Sequence, residues 1–314
     1  MDIALQQDIV KTLAYFDIFN CPLNREELYR FLWSPSQSWT YDQFVTELQK
    51  KEGLSTAFES LGGYYFLSGR SEIVATRERR VWYVQKKLKI AKHAAFFLKF
   101  IPGVKAFFVC NQIQVGVNKK SDIDVLIVVA PQRLYLTRLF VTVVLGFFRL
   151  RRAKRKITDR ICLSFYVTEN ALDFSSLKMG DTDIYFVYWL ATLLPVYDPH
   201  NYLEKIFQAN SWATTHVPHG FHSLQLDQPW HAKDSAISTW VKKMSDKILS
   251  GKFGTWLEIK CKNMQLKHME GNTQSVQNKD SRVVVSDTIL KFHENDRRER
   301  FKGDWEKKWQ TSKL

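Results

Sequence analysis

The sequence predicts a mixed α/β (α+β) protein made of three consecutive regions. Residues 1–80 show helical spacing followed by two strand-like runs on either side of Gly62-Gly63. Residues 81–195 follow the order strand, loop, strand, helix, strand, which is typical of α/β folds. Residues 196–314 are mainly helical in pattern. A chain of 314 residues has room for two or three such domains.

The first region contains three predicted helices and a hairpin. The helices are predicted over Leu5–Phe16, from Asn24 to Leu32 and over Tyr41–Lys50. Asn24 and Thr40 are residue types that cap helix starts, and Gly62-Gly63 supplies the positive φ of a two-residue hairpin turn. This order predicts a winged helix-turn-helix domain. Its third helix is nearly neutral, which favours a packing or protein-contact role over DNA binding.

The middle region alternates apolar strands with helices. Strands are predicted at Val104–Val109, Ile123–Val129 and Ile161–Val167, and helices at Val81–Phe100, Pro131–Leu150 and Asp183–Pro195. The longest uncharged run of the second helix, Leu139–Phe148, is well below the ~20 residues that cross a bilayer. We therefore expect a buried core helix and no transmembrane segment. An acidic N-terminus and four scattered cysteines without a Cys-x-x-Cys pair predict a cytoplasmic protein.

Positive charge is concentrated in one part of the chain. Residues 81–160 carry 17 Lys and Arg against 3 Asp and Glu. The whole chain has a net charge of +14. Such a field suits a polyanionic partner such as a nucleotide or a nucleic acid. Its densest part, Arg149–Lys156, is also compatible with contact to a membrane surface.

Asp122 and Asp124 are the strongest candidates for chemistry. They stand two residues apart at the start of a predicted strand, so their side chains project from the same face. Carboxylate oxygens are hard ligands that suit Mg²⁺, and pairs of metal ions bridged by carboxylates assist phosphoryl transfer. The pair therefore predicts a magnesium site, with one metal ion or two.

Several separated motifs resemble one known group. The segment Val104–Val129 is similar to the signature of the polymerase β-like nucleotidyltransferase superfamily, in its minimal form: strand, turn, loop, then Asp-x-Asp. The resemblance extends to a group of uncharacterised prokaryotic members with an N-terminal winged helix. It is carried by Asp17–Asn20, Arg133–Arg138, Ile161–Phe165, Tyr188–Leu193 and Val285–His293.

This resemblance implies a nucleotidyltransferase fold and activity. A nucleoside monophosphate would pass from a nucleoside triphosphate to a hydroxyl of an unidentified acceptor. The catalytic and metal-binding residues would be Asp122 and Asp124. The nucleotide-binding residues would be Asn111, Gln112, Lys119, Lys120 and Ser121.

Two positions depart from the family pattern. Cys110-Asn111-Gln112 stands where the family has a Gly-Ser turn that holds the triphosphate. No acidic residue lies on the third strand, where a third carboxylate is usual; Ser164 occupies the expected position, with Asp159 and Glu169 on either side of the strand. The alternative function is therefore a catalytically degenerate module that binds nucleic acid or protein.

Two further polar groups have two interpretations each. The late run Val283–Arg300 is either a solvated charged tail or a segment whose Lys and Arg return to contact phosphates near Asp122. His216, His219 and His222 surround a proline and a glycine, which favours a polar loop over a metal site.

Overall fold

The computed structural model describes residues 2–50, 56–111, 117–221, 229–270 and 275–312. Its α-helices are α1 (Ile3–Asp17), α2 (Arg25–Arg30), α3 (Tyr41–Gln49), α4 (Glu72–Leu98), α5 (Leu134–Phe147), α6 (Ile184–Ala191), α7 (Tyr202–Ala209), α8 (Ala236–Leu249), α9 (Lys252–Glu270) and α10 (Arg298–Ser312). Its strands are β1 (Leu23–Asn24), β2 (Phe58–Leu61), β3 (Tyr64–Leu67), β4 (Val104–Val109), β5 (Ile123–Val129), β6 (Ile161–Thr168), β7 (Leu194–Tyr197), β8 (Val283–Val285) and β9 (Ile289–Phe292). The protein is thus a mixed α/β chain with two sheets.

Capping residues and turn glycines set the limits of the N-terminal helices and strands. Asn24 and Thr40 each close a capping box with the residue three positions later, which fixes the starts of α2 and α3. Gly62 and Gly63 have φ values of +59° and +80°, so the β2–β3 turn uses the backbone freedom of glycine at both central positions. The small sheet has the order β1-β3-β2, and both of its pairings are antiparallel.

The larger sheet includes β5, which carries Asp124 and begins directly after Asp122. Its order is β7-β4-β5-β6-β9-β8, and only the central β5–β6 pairing is parallel. The observed bounds of β4 and β5 are those predicted from the sequence. The start of β5, the start of β6 and the end of β9 therefore lie side by side at the same end of the sheet, because β9 runs antiparallel to β6.

Several predicted helix limits were wrong. Helix α4 begins at Glu72, before the expected boundary between the first two regions, because Ile73 and Val74 pack against Phe66. The apolar run after residue 183 is divided: α6 ends at Ala191, and the following residues form β7, which pairs with β4. Helix α5 is also shorter than predicted.

The last region is less helical than its pattern indicated. It supplies β8 and β9, which extend the central sheet beyond β6. The apolar triplet at 283–285 alone does not reveal this arrangement, because its partner β9 joins the sheet through β6, which lies more than a hundred residues earlier in the chain. The second and third predicted regions thus share one sheet, whereas the strands of the first region form the smaller sheet.

Each face of the large sheet carries its own core. On β5, Leu126 and Val128 pack with α1, α6 and α10, whereas Ile127 and Val129 pack with α4, α5 and α9. Asp122 and Asp124 share the parity of Leu126, so they project to the α6 and α10 side. Within the described residues, no helix is long and apolar enough to cross a membrane.

The N-terminal helices pack directly on α6 and α10. The Tyr15 and Tyr188 rings stack with centroids 4.6 Å apart, and the Trp33 and Trp305 rings meet edge to face at 5.8 Å. The Trp305 indole N–H donates to the Lys11 carbonyl over 3.0 Å. One continuous core therefore joins the first region to the sheet.

Candidate active site

The aspartate pair lies at one end of a cavity of about 400 Å³, here called the aspartate cavity. Side chains from six elements and their loops meet there. The described lining residues are Asn111, Asp122, Asp124, Arg152, Phe165, Tyr185, Phe186, Trp189, Lys291, His293, Asn295, Asp296, Arg297, Arg298 and Phe301. The cavity therefore combines carboxylates, cations and an aromatic wall.

Asp124 is the more sheltered of the two carboxylates. Burial raises the pKa of its carboxyl to about 6, and the neighbouring Asp122 adds to the rise. Hydrogen bonds from the Cys162 thiol and the Asn111 side chain, together with the charge of Arg152, act in the opposite direction. A negative charge at Asp124 is thus costly unless a cation joins it.

Asn111 occupies the turn that follows β4. Its φ of +60° lies in the left-handed region, which glycine adopts freely and asparagine tolerates better than most residues. The Tyr185 hydroxyl donates to its Oδ1 over 3.2 Å. Asn111 thus has the backbone conformation for which glycine is the usual residue, and its amide also contacts both Asp124 and Tyr185.

The third position beside the aspartates is held by Cys162. The parallel register places Cys162 opposite Asp124, and ligand atoms of Asp122, Asp124 and Cys162 lie within 4.8 Å of one another. Burial and the two carboxylates raise the pKa of the Cys162 thiol to about 12, so the thiol is neutral at physiological pH. The site has two anionic ligands and one weak thiol donor.

The substitutes proposed for a third carboxylate are wrong. A register irregularity after the Asp124–Cys162 pair shifts β6, and Ser164 does not line the cavity. The Asp159 carboxylate binds Lys86 and Lys87, each at 2.7 Å, away from the aspartates. Glu169 accepts from the Tyr202 hydroxyl beyond the opposite end of β6.

Arg152 places a positive charge on the aspartates. Its guanidinium Nη1 lies 2.6 Å from Asp122 Oδ2 and 3.5 Å from Cys162 Sγ. The side chain comes from the basic stretch that the sequence singled out, and it is 44% exposed. An exposed arginine can move at little cost, so this ion pair can give way to a phosphate or a metal ion.

The late basic run returns to the aspartates, as one of its two interpretations predicted. Lys291 pairs across the sheet with Phe165, and His293 follows at the end of β9, so both face the cavity. Burial and the nearby Arg298 lower the pKa of the Lys291 ammonium to about 8. Burial, with Lys291 next in effect, lowers the pKa of His293 to about 3, which makes its imidazole neutral.

Arg297 and Arg298 have different surroundings. Arg298 is 5% exposed, and its guanidinium contacts Asp183 and Asp296, each at 2.8 Å. It also donates to the Leu177 carbonyl over 2.8 Å, which fixes the start of α10. Arg297 is exposed at the cavity, so it is the cation with the greatest freedom to meet an anionic ligand.

An aromatic wall completes the cavity. The Trp189 ring stacks with those of Phe165 and Phe186, both at 5.6 Å, and Tyr185 stacks with Phe301 at 5.4 Å. Such flat faces suit a nucleobase or another planar group. The sequence did not reveal this wall, although α6 carries three of its five rings, Tyr185, Phe186 and Trp189.

The remaining predicted site residues have mixed outcomes. Asn111, Asp122 and Asp124 line the cavity together. Lys119 and Lys120 are exposed in a turn, and with Ser121 they are not among the described residues of the lining. Gln112 lies outside the described residues.

The histidine group is not assembled as a metal site in the part of the chain that the structure describes. His216 stacks on Trp33 with centroids 5.0 Å apart, and His219 stacks on Tyr29 at 4.2 Å. Both rings therefore serve packing between the first region and the segment after α7. His222 lies outside the described residues.

Comparison with known proteins adds no assignment. No protein-family model, no curated protein and no solved structure matches this chain. The resemblance to nucleotidyltransferases therefore remains a prediction from its own motifs.

Proposed function

We propose that the protein is a Mg²⁺-dependent nucleotidyltransferase that moves a nucleoside monophosphate from a nucleoside triphosphate to a hydroxyl acceptor. The observation that carries this proposal is the meeting of Asp122 and Asp124 with Lys291 and Arg297 in one cavity. Carboxylates that hold a cation and cations that hold phosphates are the two requirements of phosphoryl transfer.

The residues beside Asp124 fit a hard divalent cation. Two carboxylates project from one face of β5, and the sheltered Asp124 gains most from a positive charge. When bound, Mg²⁺ would polarise phosphate oxygens and offset the charge of the departing pyrophosphate. Asp122 and Asp124 would hold it, with Cys162 adding at most a weak third contact.

The rest of the cavity supports recognition of a nucleotide. Arg297 is the cation that would bind phosphate oxygens, since Arg298 is engaged by two carboxylates and the buried Lys291 ammonium donates to the Ser281 and Arg282 carbonyls. Trp189 and Phe186 offer flat surfaces for a base. The neutral His293 can donate or accept a hydrogen bond without adding charge.

Labelled nucleotides test the proposal directly. The protein would be incubated with Mg²⁺ and ATP, GTP, CTP or UTP, labelled at either the α- or the γ-phosphate, with RNA, DNA and small-molecule acceptors. We expect label transfer from the α position only, and its loss in Asp122→Asn and Asp124→Asn. Lys307→Ala, which alters an exposed residue of α10 outside the cavity lining, is the control. Transfer or binding that is indifferent to both aspartates would refute the proposal.

The Arg152–Asp122 ion pair favours the second candidate, a module that binds without catalysis. In that case the guanidinium permanently takes the place of a metal ion beside Asp122. The module would then bind nucleic acid with an affinity that falls with salt and is unchanged in Asp122→Asn. Mg²⁺-dependent nucleotide transfer by the wild-type protein would eliminate this candidate.

We also propose that the first region is a winged helix that packs rather than reads DNA. Its order of helices and its β1-β3-β2 sheet support the finer assignment. Helix α3 carries Asp42 and Glu47 and contains no Lys or Arg, and α1 packs against α6 and α10. Retention of nucleotide binding together with absence of DNA affinity in the isolated protein would agree with this role.

A further inference from the structure

The helical hairpin formed by α8 and α9 exposes an apolar face. Ser250 and Gly251 connect the helices, and a Cβ at Gly254 would lie 1.8 Å from the Leu249 carbonyl oxygen, so the turn is tight. The exposed apolar side chains are Ile237, Trp240, Met244, Ile248, Phe253, Trp256, Ile259 and Met264, each between 44% and 68% exposed. Most exposed large apolar side chains of the described residues lie on this hairpin and the neighbouring helices α4 and α5.

These side chains form stripes rather than scattered contacts. On α8, Ile237, Trp240, Met244 and Ile248 recur at intervals of three and four residues, which places them on one side of the helix. The opposite side is used for packing: Lys242 donates to the Val104 carbonyl over 3.0 Å, and Ser238 is fully buried. The apolar stripe is therefore not the face that holds α8 to the sheet.

Helix α9 has the same division. Its inner side buries Cys261 and Gln265, and Glu258 accepts from the backbone N–H groups of Tyr135 and Leu136 over 2.9 and 2.8 Å. The inner side of α9 thus caps the start of α5 through the Glu258 carboxylate. Phe253 and Trp256 stack with centroids 6.0 Å apart on the outer side.

Lysines accompany the apolar stripes at almost every turn. The exposed lysines of the hairpin are Lys243, Lys247, Lys252, Lys260 and Lys267. Lys260 Nζ lies 5.2 Å from the Trp256 ring centroid, and Asp246 lies on the other side of α8, in a groove with Arg133. Aromatic and aliphatic side chains edged by lysine are the pattern of helices that lie in the plane of an anionic membrane surface.

We infer that the outer face of α8 and α9 binds an anionic lipid bilayer surface. The apolar stripes would enter the boundary between headgroups and acyl chains, while the lysines stay at the level of the lipid phosphates. A second copy of this chain is a poorer occupant, because a two-fold contact would bring the lysines of both copies together. This surface is separate from the aspartate cavity, so the inference is independent of the proposed transfer reaction.

Vesicle flotation of the full chain tests this inference. The protein would be mixed with vesicles of phosphatidylcholine alone or of phosphatidylcholine with phosphatidylglycerol, at low and high salt. We expect flotation with the anionic vesicles only, weakened by salt. A Trp240→Ala/Trp256→Ala double variant should bind at least about tenfold more weakly, and so should Lys247→Glu/Lys260→Glu.

Control substitutions at exposed residues of other elements show whether vesicle binding is specific to the outer face of α8 and α9. Leu61→Ala and Lys307→Glu alter exposed residues on other elements and should leave flotation unchanged. All variants should keep the wild-type melting temperature, since the replaced side chains are exposed. Equal binding to neutral vesicles, or loss of binding only in Arg155→Glu/Lys156→Glu, would overturn the inference. Failure to float combined with self-association that Trp240→Ala/Trp256→Ala abolishes would assign the face to a second copy instead.

Discussion

Asp124 illustrates how one side chain links stability to ligand binding. Its raised pKa means that folding favours the protonated carboxyl. Burial is the main cause, and the like charge of Asp122 adds to it. The stability that this provides is fully present below the ordinary aspartate pKa and is lost as pH rises through about 6. Above that pH, a cation beside Asp124 recovers part of the loss.

The first prediction follows from this balance. In EDTA, we expect the free energy of unfolding to fall between pH 4 and pH 7, by up to about 3 kcal/mol from this group. Asp124→Asn should melt at a higher temperature than wild type at pH 7 in EDTA, yet lose the stabilisation that Mg²⁺ gives to wild type. Calorimetry across pH with and without Mg²⁺ measures both effects. A lower melting temperature in Asp124→Asn would contradict the account.

The second prediction concerns Cys162, which faces Asp124 across the parallel strands. Cys162→Asp should increase the affinity for Mg²⁺ and lower the apo stability, because a third carboxylate adds attraction for the cation and repulsion without it. Cys162→Ser, which adds no charge, serves as the control. Titrations that give equal Mg²⁺ affinity for the two variants would exclude Cys162 from the metal site.

At this scale the sequence predicted the pair but not its neighbours. Asp122 and Asp124 were recognisable from their spacing on a strand. Ser164 was placed at the position of the third carboxylate, whereas Cys162, two residues earlier, stands opposite Asp124; the register irregularity that follows depends on pairing with β5. Asn111 was named as a departure from glycine, although its φ of +60° keeps the glycine-like turn.

At the scale of elements, the loop between β9 and α10 forms one wall of the cavity. Arg298 anchors it through Asp183, Asp296 and the Leu177 carbonyl. Arg297 precedes this anchor and is exposed at the same cavity. Two adjacent arginines therefore have separable roles, one structural and one toward ligand.

The third prediction compares these two arginines. Arg298→Leu should lower the free energy of unfolding by about 3–5 kcal/mol, because it leaves buried carboxylates unpaired. Arg297→Leu should change stability by less than about 0.5 kcal/mol but weaken nucleotide binding about tenfold. Chemical denaturation and nucleotide titration of both variants provide the measurements. The reverse pattern would show that the assigned roles are wrong.

Local pattern predicted some elements and missed others for physical reasons. The strands β4 and β5 are apolar on both faces and bounded by turn residues, so their limits could be read directly. The end of α6 could not, because an apolar run continues through it and Pro195 lies in β7, whose pairing with β4 is a tertiary contact. The joining of β9 to β6 depends on long-range pairing in the same way.

At the scale of the whole molecule, one core connects the first residues to the last helix. Tyr15, Trp33, Tyr188 and Trp305 meet where α1, α6 and α10 pack. The predicted division near residue 80 follows the sequence pattern, but α4 runs through it. We therefore expect the first region and the large sheet to unfold together.

The fourth prediction tests this shared core. Trp305→Ala should cost about 3–5 kcal/mol, through lost packing and loss of the indole hydrogen bond to the Lys11 carbonyl. Because α10 contacts both regions, the variant should still unfold in a single, earlier transition. Differential scanning calorimetry with fluorescence from both regions would follow this. Two separate transitions, with only one shifted, would contradict a continuous core.

The central claim is that the aspartate cavity holds a metal-bound nucleoside triphosphate. Isothermal titration of the wild-type protein with a non-hydrolysable triphosphate, in the presence and absence of Mg²⁺, tests it most directly. We predict one Mg²⁺-dependent site, lost in Asp122→Asn/Asp124→Asn and retained in Lys307→Ala. Absence of binding in the wild type, or equal binding in the double variant, would contradict it.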